Sequence, residues 1–217
     1  MQNFASYFIM MNSIDNILFD LGKVLLNFNN DNAKNYFKSL GVGNYEEHVI
    51  ELHAQNVFNK LEKGELSAEQ FIKEISKKLN GLVSDTEIQN AWNSILMDYR
   101  TESMKHLEKL KKRYSLYLLS NTNILHHEQF NSILFNQLQV TSLDSYFTKA
   151  YYSHQTGMRK PDKKIYEFVL NDARIKAERT LFIDDLPENI ATAQMLGFQT
   201  HLLLPEERIE NLKSLSF

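Results

Sequence analysis

Short apolar runs that alternate with helical stretches constrain this chain more than any other feature. Residues 116–119, 149–152, 181–183 and 200–204 read as strands, and residues 122–138, 163–170 and 188–196 read as the helices between them. Strands alternating with helices imply an α/β fold, a parallel sheet covered on both faces. A further strand is predicted near the start, over 14–19. Its apolar run Ile17, Leu18, Phe19 stops at Asp20, just before Gly22.

The stretch between this first strand and the later ones has a different texture. Residues 29–98 read as helical throughout, with candidate helices over 31–40, 45–63, 67–79 and 84–97. Two of them open with a capping box, Ser67 with Gln70 and Ser84 with Glu87. Consecutive helices with no strand among them resemble a small bundle. The expected organisation is an α/β core built from 14–28 and 99–217, a helical insertion over 29–98, and an N-terminal extension over 1–13, in which Met10 or Met11 could be the true start.

Length and composition limit the function classes. The 217 residues suffice for one domain with a modest insertion. A formal net charge of −3 gives no basic field to recruit nucleic acid or an anionic membrane. With no cysteine, disulfides, thiol catalysis and thiolate metal sites are excluded, and a metal would be held by carboxylate, imidazole or neutral oxygen. No apolar run reaches the roughly 18 residues that a membrane span needs. The N-terminus lacks the basic segment and apolar core of a signal peptide, so a cytoplasmic location is expected. The sequence does not fix the oligomeric state.

Ligands of open α/β sheets bind beyond the carboxyl ends of the strands. Those ends deliver Asp20, then Ser120-Asn121-Thr122-Asn123, then Gly157-Met158-Arg159-Lys160-Pro161, then Asp184-Asp185 followed by Glu188 and Asn189. Each element alone has an ordinary reading: an Asp, Ser or Thr after a strand is usually a turn former or helix cap, and a lysine before proline is usually solvated. Adjacent carboxylates after an apolar strand are harder to explain that way, because they repel unless a cation or donors relieve them. As a set the residues form a coherent chemistry. Carboxylates can hold a hard divalent cation. A hydroxyl and N–H groups at a helix start suit phosphate oxygens. A lysine offsets developing charge, and a carboxylate can act as nucleophile.

The motifs Phe19-Asp20-Leu21-Gly22, Ser120-Asn121-Thr122-Asn123, Arg159-Lys160-Pro161 and Ile183-Asp184-Asp185 resemble, in order, those of the haloacid dehalogenase superfamily. The resemblance spans almost the whole chain. It implies a Rossmann-like parallel core with a helical-bundle cap of the C1 type inserted after the first strand. Within the insertion, Glu62-Lys63-Gly64-Glu65-Leu66-Ser67 looks like a recurring cap segment of one branch. The stretches Ser120–His126 and Gly157–Pro161 are similar to bacterial α-D-glucose-1-phosphate phosphatases. The resemblance further implies a Mg2+-dependent phosphatase acting on a small phosphorylated metabolite. Asp20 would be nucleophile and metal ligand, and the Gly22 carbonyl a second ligand. Ser120 and Asn121 would hold the phosphoryl group, and Lys160 would neutralise it and orient Asp20. Asp185 would bind the metal directly, and Asp184 directly or through water.

One position departs from the common pattern. Most phosphatases of this family carry a second Asp two residues after the nucleophile, where this chain has Gly22. The usual general acid–base is therefore missing, and Lys23, His126 and His154 are the candidates to replace it. Two other readings compete: a 2-haloacid dehalogenase, which also lacks the second Asp, and a non-catalytic member that binds a phosphorylated ligand or a partner protein. The acidic pair Asp184-Asp185 favours the phosphatase.

Overall fold

The computed structural model describes residues 14–215. The expected N-terminal extension lies outside the described residues. The chain runs β1 (Asn16–Phe19), β2 (Leu26–Phe28), α1 (Asp31–Ser39), α2 (Tyr45–Ala54), α3 (Val57–Glu62), α4 (Ala68–Lys78), α5 (Asp85–Asn93), β3 (Leu96–Tyr99), α6 (Thr101–Leu110), β4 (Ser115–Ser120), α7 (Ile124–Leu138), β5 (Lys149–Tyr152), α8 (Ser153–Thr156), α9 (Lys163–Ala173), β6 (Thr180–Asp184), α10 (Pro187–Met195) and β7 (Gln199–Leu202). Among the described residues no helix is long and apolar enough to cross a membrane.

The main sheet has five strands in the order β5-β4-β1-β6-β7, all parallel. The central strand β1 is buried along its whole length, as a strand covered on both faces must be. Alternate residues serve two layers. Ile17 and Phe19 join Leu116, Leu118, Leu181 and Ile183 on one face. Leu18 joins Leu119, Phe182, Tyr166 and Val169 on the other. The register pairs Phe19 with Leu118 and with Ile183, so Asp20, Ser120 and Asp184 emerge together at the carboxyl edge.

Helices α1 to α5 lie between β2 and β3 and bury an apolar cluster of their own, including Phe37, Leu61, Phe71, Ile75 and Ile88. Both capping boxes form. The Gln70 N–H donates to Ser67 Oγ and the Ser67 N–H to Gln70 Oε1, and Ser84 with Glu87 does the same. Two expectations are corrected here. The single helix expected over 45–63 breaks at Asn56, whose φ of 60° is left-handed, a conformation asparagine tolerates better than most residues. The helix expected over 84–97 ends at Asn93. Leu96–Tyr99 instead forms β3, antiparallel to β2, with Leu26 opposite Tyr99 and Phe28 opposite Leu96. This two-stranded ladder is the stem by which the chain leaves the sheet for the helices and returns.

Candidate active site

Asp20 follows β1 at the centre of the carboxyl edge and is buried. Lys160, from the loop between α8 and α9, reaches it there. Its Nζ donates to Asp20 Oδ1 at 2.6 Å and to Asp184 Oδ2 at 2.7 Å, and the residue is 1% exposed. Burial alone would lower the ammonium, but Asp184 and Asp20 outweigh it and hold Lys160 above the ordinary lysine value. Burial pushes the Asp20 carboxyl up to about 7, against the pull of Lys160 and with help from Asp184.

Asp184 is fully buried and well supplied with donors. Its Oδ1 accepts from the Leu186 N–H and from Asn189 Nδ2, both at 2.9 Å, while Asn189 also lies 3.0 Å from Oδ2. Asp185 is different. Its side chain is 16% exposed, it meets Lys23 Nζ at 3.6 Å, and burial followed by the charge of Asp184 raises its carboxyl above the usual range. Oxygens of Asp20, Asp184 and Asp185 lie within 4.8 Å of one another. Three hard oxygen donors this close fit a small divalent cation such as Mg2+. Asp184 already spends its oxygens on Lys160, Leu186 and Asn189, so Asp20 and Asp185 are the more available of the three.

The segment after β4 is pinned on both sides. Ser153 Oγ donates to the Thr122 carbonyl at 2.8 Å and accepts from the Thr122 N–H at 2.9 Å. Asn123 caps α7 by accepting from the His126 N–H. The side chain of Asn121 donates to the Lys160 carbonyl and accepts from the Lys160 N–H, each at 2.9 Å. It is therefore engaged with the backbone of Lys160. Ser120 is buried, with only a marginal contact from its hydroxyl to the Asn121 carbonyl at 3.5 Å.

Two cavities open above these residues. One, of about 270 Å³, is lined by Asp20, Gly22, Lys23, Lys160 and Asp185. The other, of about 490 Å³, lies between the inserted helices and the segment 121–126. Phe28, Asn30 and Asn121 line both, so the space over Asp20 continues into the larger cavity. One wall of that cavity is an aromatic stack. Phe58 lies on Trp92 (centroids 5.4 Å, interplanar 10°) and Trp92 on His126 (5.0 Å, 14°).

Of the candidate acids, Lys23 lines the smaller cavity and is half exposed. His126 borders only the larger one, hydrogen-bonded to Asn123 and the Trp92 carbonyl. His154 lines neither of these two cavities; its ring packs near His127 and Tyr152.

A matching family model, haloacid dehalogenase-like hydrolase, covers residues 14–203. The chain belongs to the haloacid dehalogenase-like hydrolases. The D-ribitol-5-phosphate phosphatase of Bacteroides thetaiotaomicron is 32% identical over 187 residues, 86% of this chain and 90% of that protein. A haloacid dehalogenase family enzyme from Bacteroides thetaiotaomicron, solved with magnesium and inorganic phosphate, superposes with a TM-score of 0.85 at 36% identity, covering 93% of this chain and all of that one. A haloacid dehalogenase-like hydrolase from Porphyromonas gingivalis gives a TM-score of 0.78 at 35% identity, with 89% and 93% covered.

Two contacts went unread in the sequence. Asn189, already placed beside the acidic pair, donates to Asp184 from the opening of α10, five residues on. Glu62, the last residue of α3, accepts from Arg159 Nε at 2.8 Å, joining the inserted helices to the loop of Lys160. No local pattern announces a pair so distant along the chain.

Proposed function

We propose that this hydrolase is a magnesium-dependent phosphatase for small polyol or sugar phosphate monoesters, working through an aspartyl phosphate on Asp20. The observation that carries the reading is the position of Lys160 Nζ between Asp20 and Asp184, with Asp185 alongside. A cation site and a fixed ammonium around one buried carboxylate suit a phosphate dianion. The protein's task in phosphoryl transfer is mostly positioning and charge stabilisation.

A carboxylate oxygen of Asp20 attacks phosphorus and the ester P–O bond breaks, leaving an aspartyl phosphate and an alkoxide that takes its proton from water to depart as the alcohol. Water then attacks phosphorus, which releases inorganic phosphate and restores Asp20. Lys160 offsets the charge of the transferring group. The Ser120 hydroxyl and main-chain N–H groups after β4 hold its oxygens, while the Asn121 side chain fixes the backbone of Lys160. Asp20, Asp185 and the Gly22 carbonyl would hold Mg2+, with Asp184 positioned behind Lys160. When bound, the ion supplies positive charge against the phosphate and favours the ionised form of Asp20. The inserted helices act as a cap, and the larger cavity beneath them receives the leaving group.

The similar D-ribitol-5-phosphate phosphatase supports an acyclic polyol phosphate. A second reading, a sugar 1-phosphate such as glucose 1-phosphate, is favoured by Gly22: without a nearby acid, an anomeric oxygen leaves more easily than a primary one. Turnover of D-ribitol 5-phosphate, glucose 1-phosphate and glucose 6-phosphate, with magnesium and with excess chelator, tests the proposal. We expect hydrolysis only with the metal. Hydrolysis unaffected by chelator, or release of halide from a 2-haloacid with no action on any phosphate ester, would overturn it.

A further inference from the structure

The larger cavity has two unlike sides. One is the aromatic stack of Phe58, Trp92 and His126, flat and apolar. The cavity is also bordered by charged side chains, among them Asp31, Lys34 and Glu62. Such a mixture suits a polyhydroxylated carbon chain, whose C–H face packs on rings while its hydroxyls need hydrogen-bond partners.

Glu62 is held from the core side of the cavity. Arg159 Nε donates to its Oε2, and both side chains are less than one-third exposed (27% for Glu62, 30% for Arg159). The chain after it is pressed against the core at Gly64, whose φ is +69° and where a Cβ would collide with the His154 carbonyl. Helix α3 thus ends against the core at a fixed place. A carboxylate has about four acceptor sites, and one guanidinium N–H uses one of them. Burial raises the Glu62 carboxyl above the usual range, against the pull of Arg159.

We propose that Glu62, oriented by Arg159, is the specificity residue that accepts hydrogen bonds from the hydroxyls of a polyol leaving group in the cavity. The inference rests on the phosphatase reading above and deepens it. A site built to accept from a hydroxyl penalises a ligand that lacks one, because the partly enclosed acceptor sites not used by Arg159 then lose their partner. The arrangement also ties recognition to catalysis, since Arg159 is the neighbour of Lys160 in sequence.

The test compares kcat/KM for D-ribitol 5-phosphate with that for n-pentyl phosphate, which has the same chain length and no other hydroxyl. We expect Glu62→Gln to lower the ratio of the two at least tenfold, mainly through KM for the ribitol ester. Arg159→Gln should lower it less, because Glu62 remains but is no longer held. Should Glu62→Gln fail to fold, Glu62→Asp keeps the charge, shortens the reach and carries the same comparison. A ratio within twofold of wild type in these variants would overturn the assignment, as would an equal fall for both esters, the sign of a merely structural role. Wild-type protein that hydrolyses glucose 1-phosphate but neither of these esters would overturn this inference alone, and inactivity toward all three would overturn the phosphatase reading and this inference with it.

Discussion

Asn121 and Lys160 stand 39 residues apart and exchange two hydrogen bonds of 2.9 Å, side-chain amide to main-chain N–H and carbonyl. An asparagine amide mimics a peptide group, so the loop of Lys160 is paired to the segment after β4 as a strand would be to its neighbour. The contact fixes where the lysine side chain begins, and the ammonium then has little freedom over Asp20 and Asp184. Replacing Asn121 by Ala leaves the Lys160 N–H and carbonyl without these partners. Loss of such a hydrogen bond costs about 1–3 kcal/mol. We expect Asn121→Ala to lower stability in urea by that order and to lower kcat more than KM. Unchanged kcat with weakened substrate binding alone would show that Asn121 serves the substrate rather than the lysine.

Asp20→Asn should abolish turnover while the fold survives. The substitution removes the nucleophile but leaves Lys160 paired with Asp184. It also removes a carboxylate whose burial is unfavourable enough to lift it to about 7. Activity should fall by several orders of magnitude, as for other nucleophile deletions. Thermal denaturation should show a melting temperature at or above that of the wild type. A well-folded variant with ordinary turnover would remove Asp20 from the mechanism.

Lys160→Ala should behave quite differently from Asp20→Asn. In sequence a lysine beside proline reads as solvated, and its loss would be expected to spare stability. In the structure it is enclosed between two buried carboxylates. Deleting one member of such an arrangement typically costs about 3–5 kcal/mol, because the partner charges are left uncompensated. Stability and turnover should fall together, and urea unfolding measures the first. A variant that is inactive yet as stable as wild type would mean that the carboxylates find other relief.

The same contrast explains how far the sequence could be read. Asp20, Ser120, Asp184 and Asp185 were legible because each ends an apolar run, and a parallel sheet gathers such ends along one edge. The capping boxes at Ser67 and Ser84 were legible because they are local. Strands β2 and β3 were not. Each has only three or four residues, and Leu96 and Met97 extend the apolar spacing of α5 past its true end at Asn93. The burial of Lys160 and the Glu62–Arg159 pair come from assembly of distant segments. No local spacing encodes them.

Through His126, lowering the pH should cost stability before most carboxylates titrate, against an opposite contribution from Asp20, whose raised carboxyl favours the folded chain as pH falls. His126 lies buried in the aromatic stack, and burial lowers its ring from 6.5 to about 4 despite the hydrogen bond to the Trp92 carbonyl. Its Nδ1 meets the Asn123 amide nitrogen, so that ring atom must accept, and a protonated ring would set donor against donor. Above pH 6.5 the ring is neutral in both folded and unfolded chains and its contribution is flat. Between 6.5 and about 4 the unfolded chain binds the proton and the folded one does not, so this contribution falls as pH falls. A shift of this size carries on the order of 3 kcal/mol. Chemical denaturation across this window should show the slope as a difference between the wild type and His126→Phe. An identical slope in that variant would exclude His126 as the cause.

Gly22 offers a test of the chemistry that is independent of fold stability. A Cβ built there would find Asp20 Oδ2 at 3.9 Å as its nearest neighbour, an ordinary contact, and the backbone is not in the left-handed region. The backbone and the Cβ of Gly22→Asp are therefore accommodated, placing a carboxyl two residues after the nucleophile. With no acid at that position, the wild type should hydrolyse glucose 1-phosphate faster than glucose 6-phosphate, because the anomeric oxygen departs with less need of a proton. An added acid helps the poorer leaving group most. General acid–base groups contribute roughly 10²–10⁴-fold, so even an imperfectly placed Asp should visibly raise turnover of the 6-phosphate and narrow the gap. The new carboxyl also adds negative charge beside Asp20 and Asp185, so the comparison belongs at saturating magnesium. A wild-type preference for the 6-phosphate would mean that another group already donates the proton. Lys23, which lines the same cavity and meets Asp185, would be the first residue to replace.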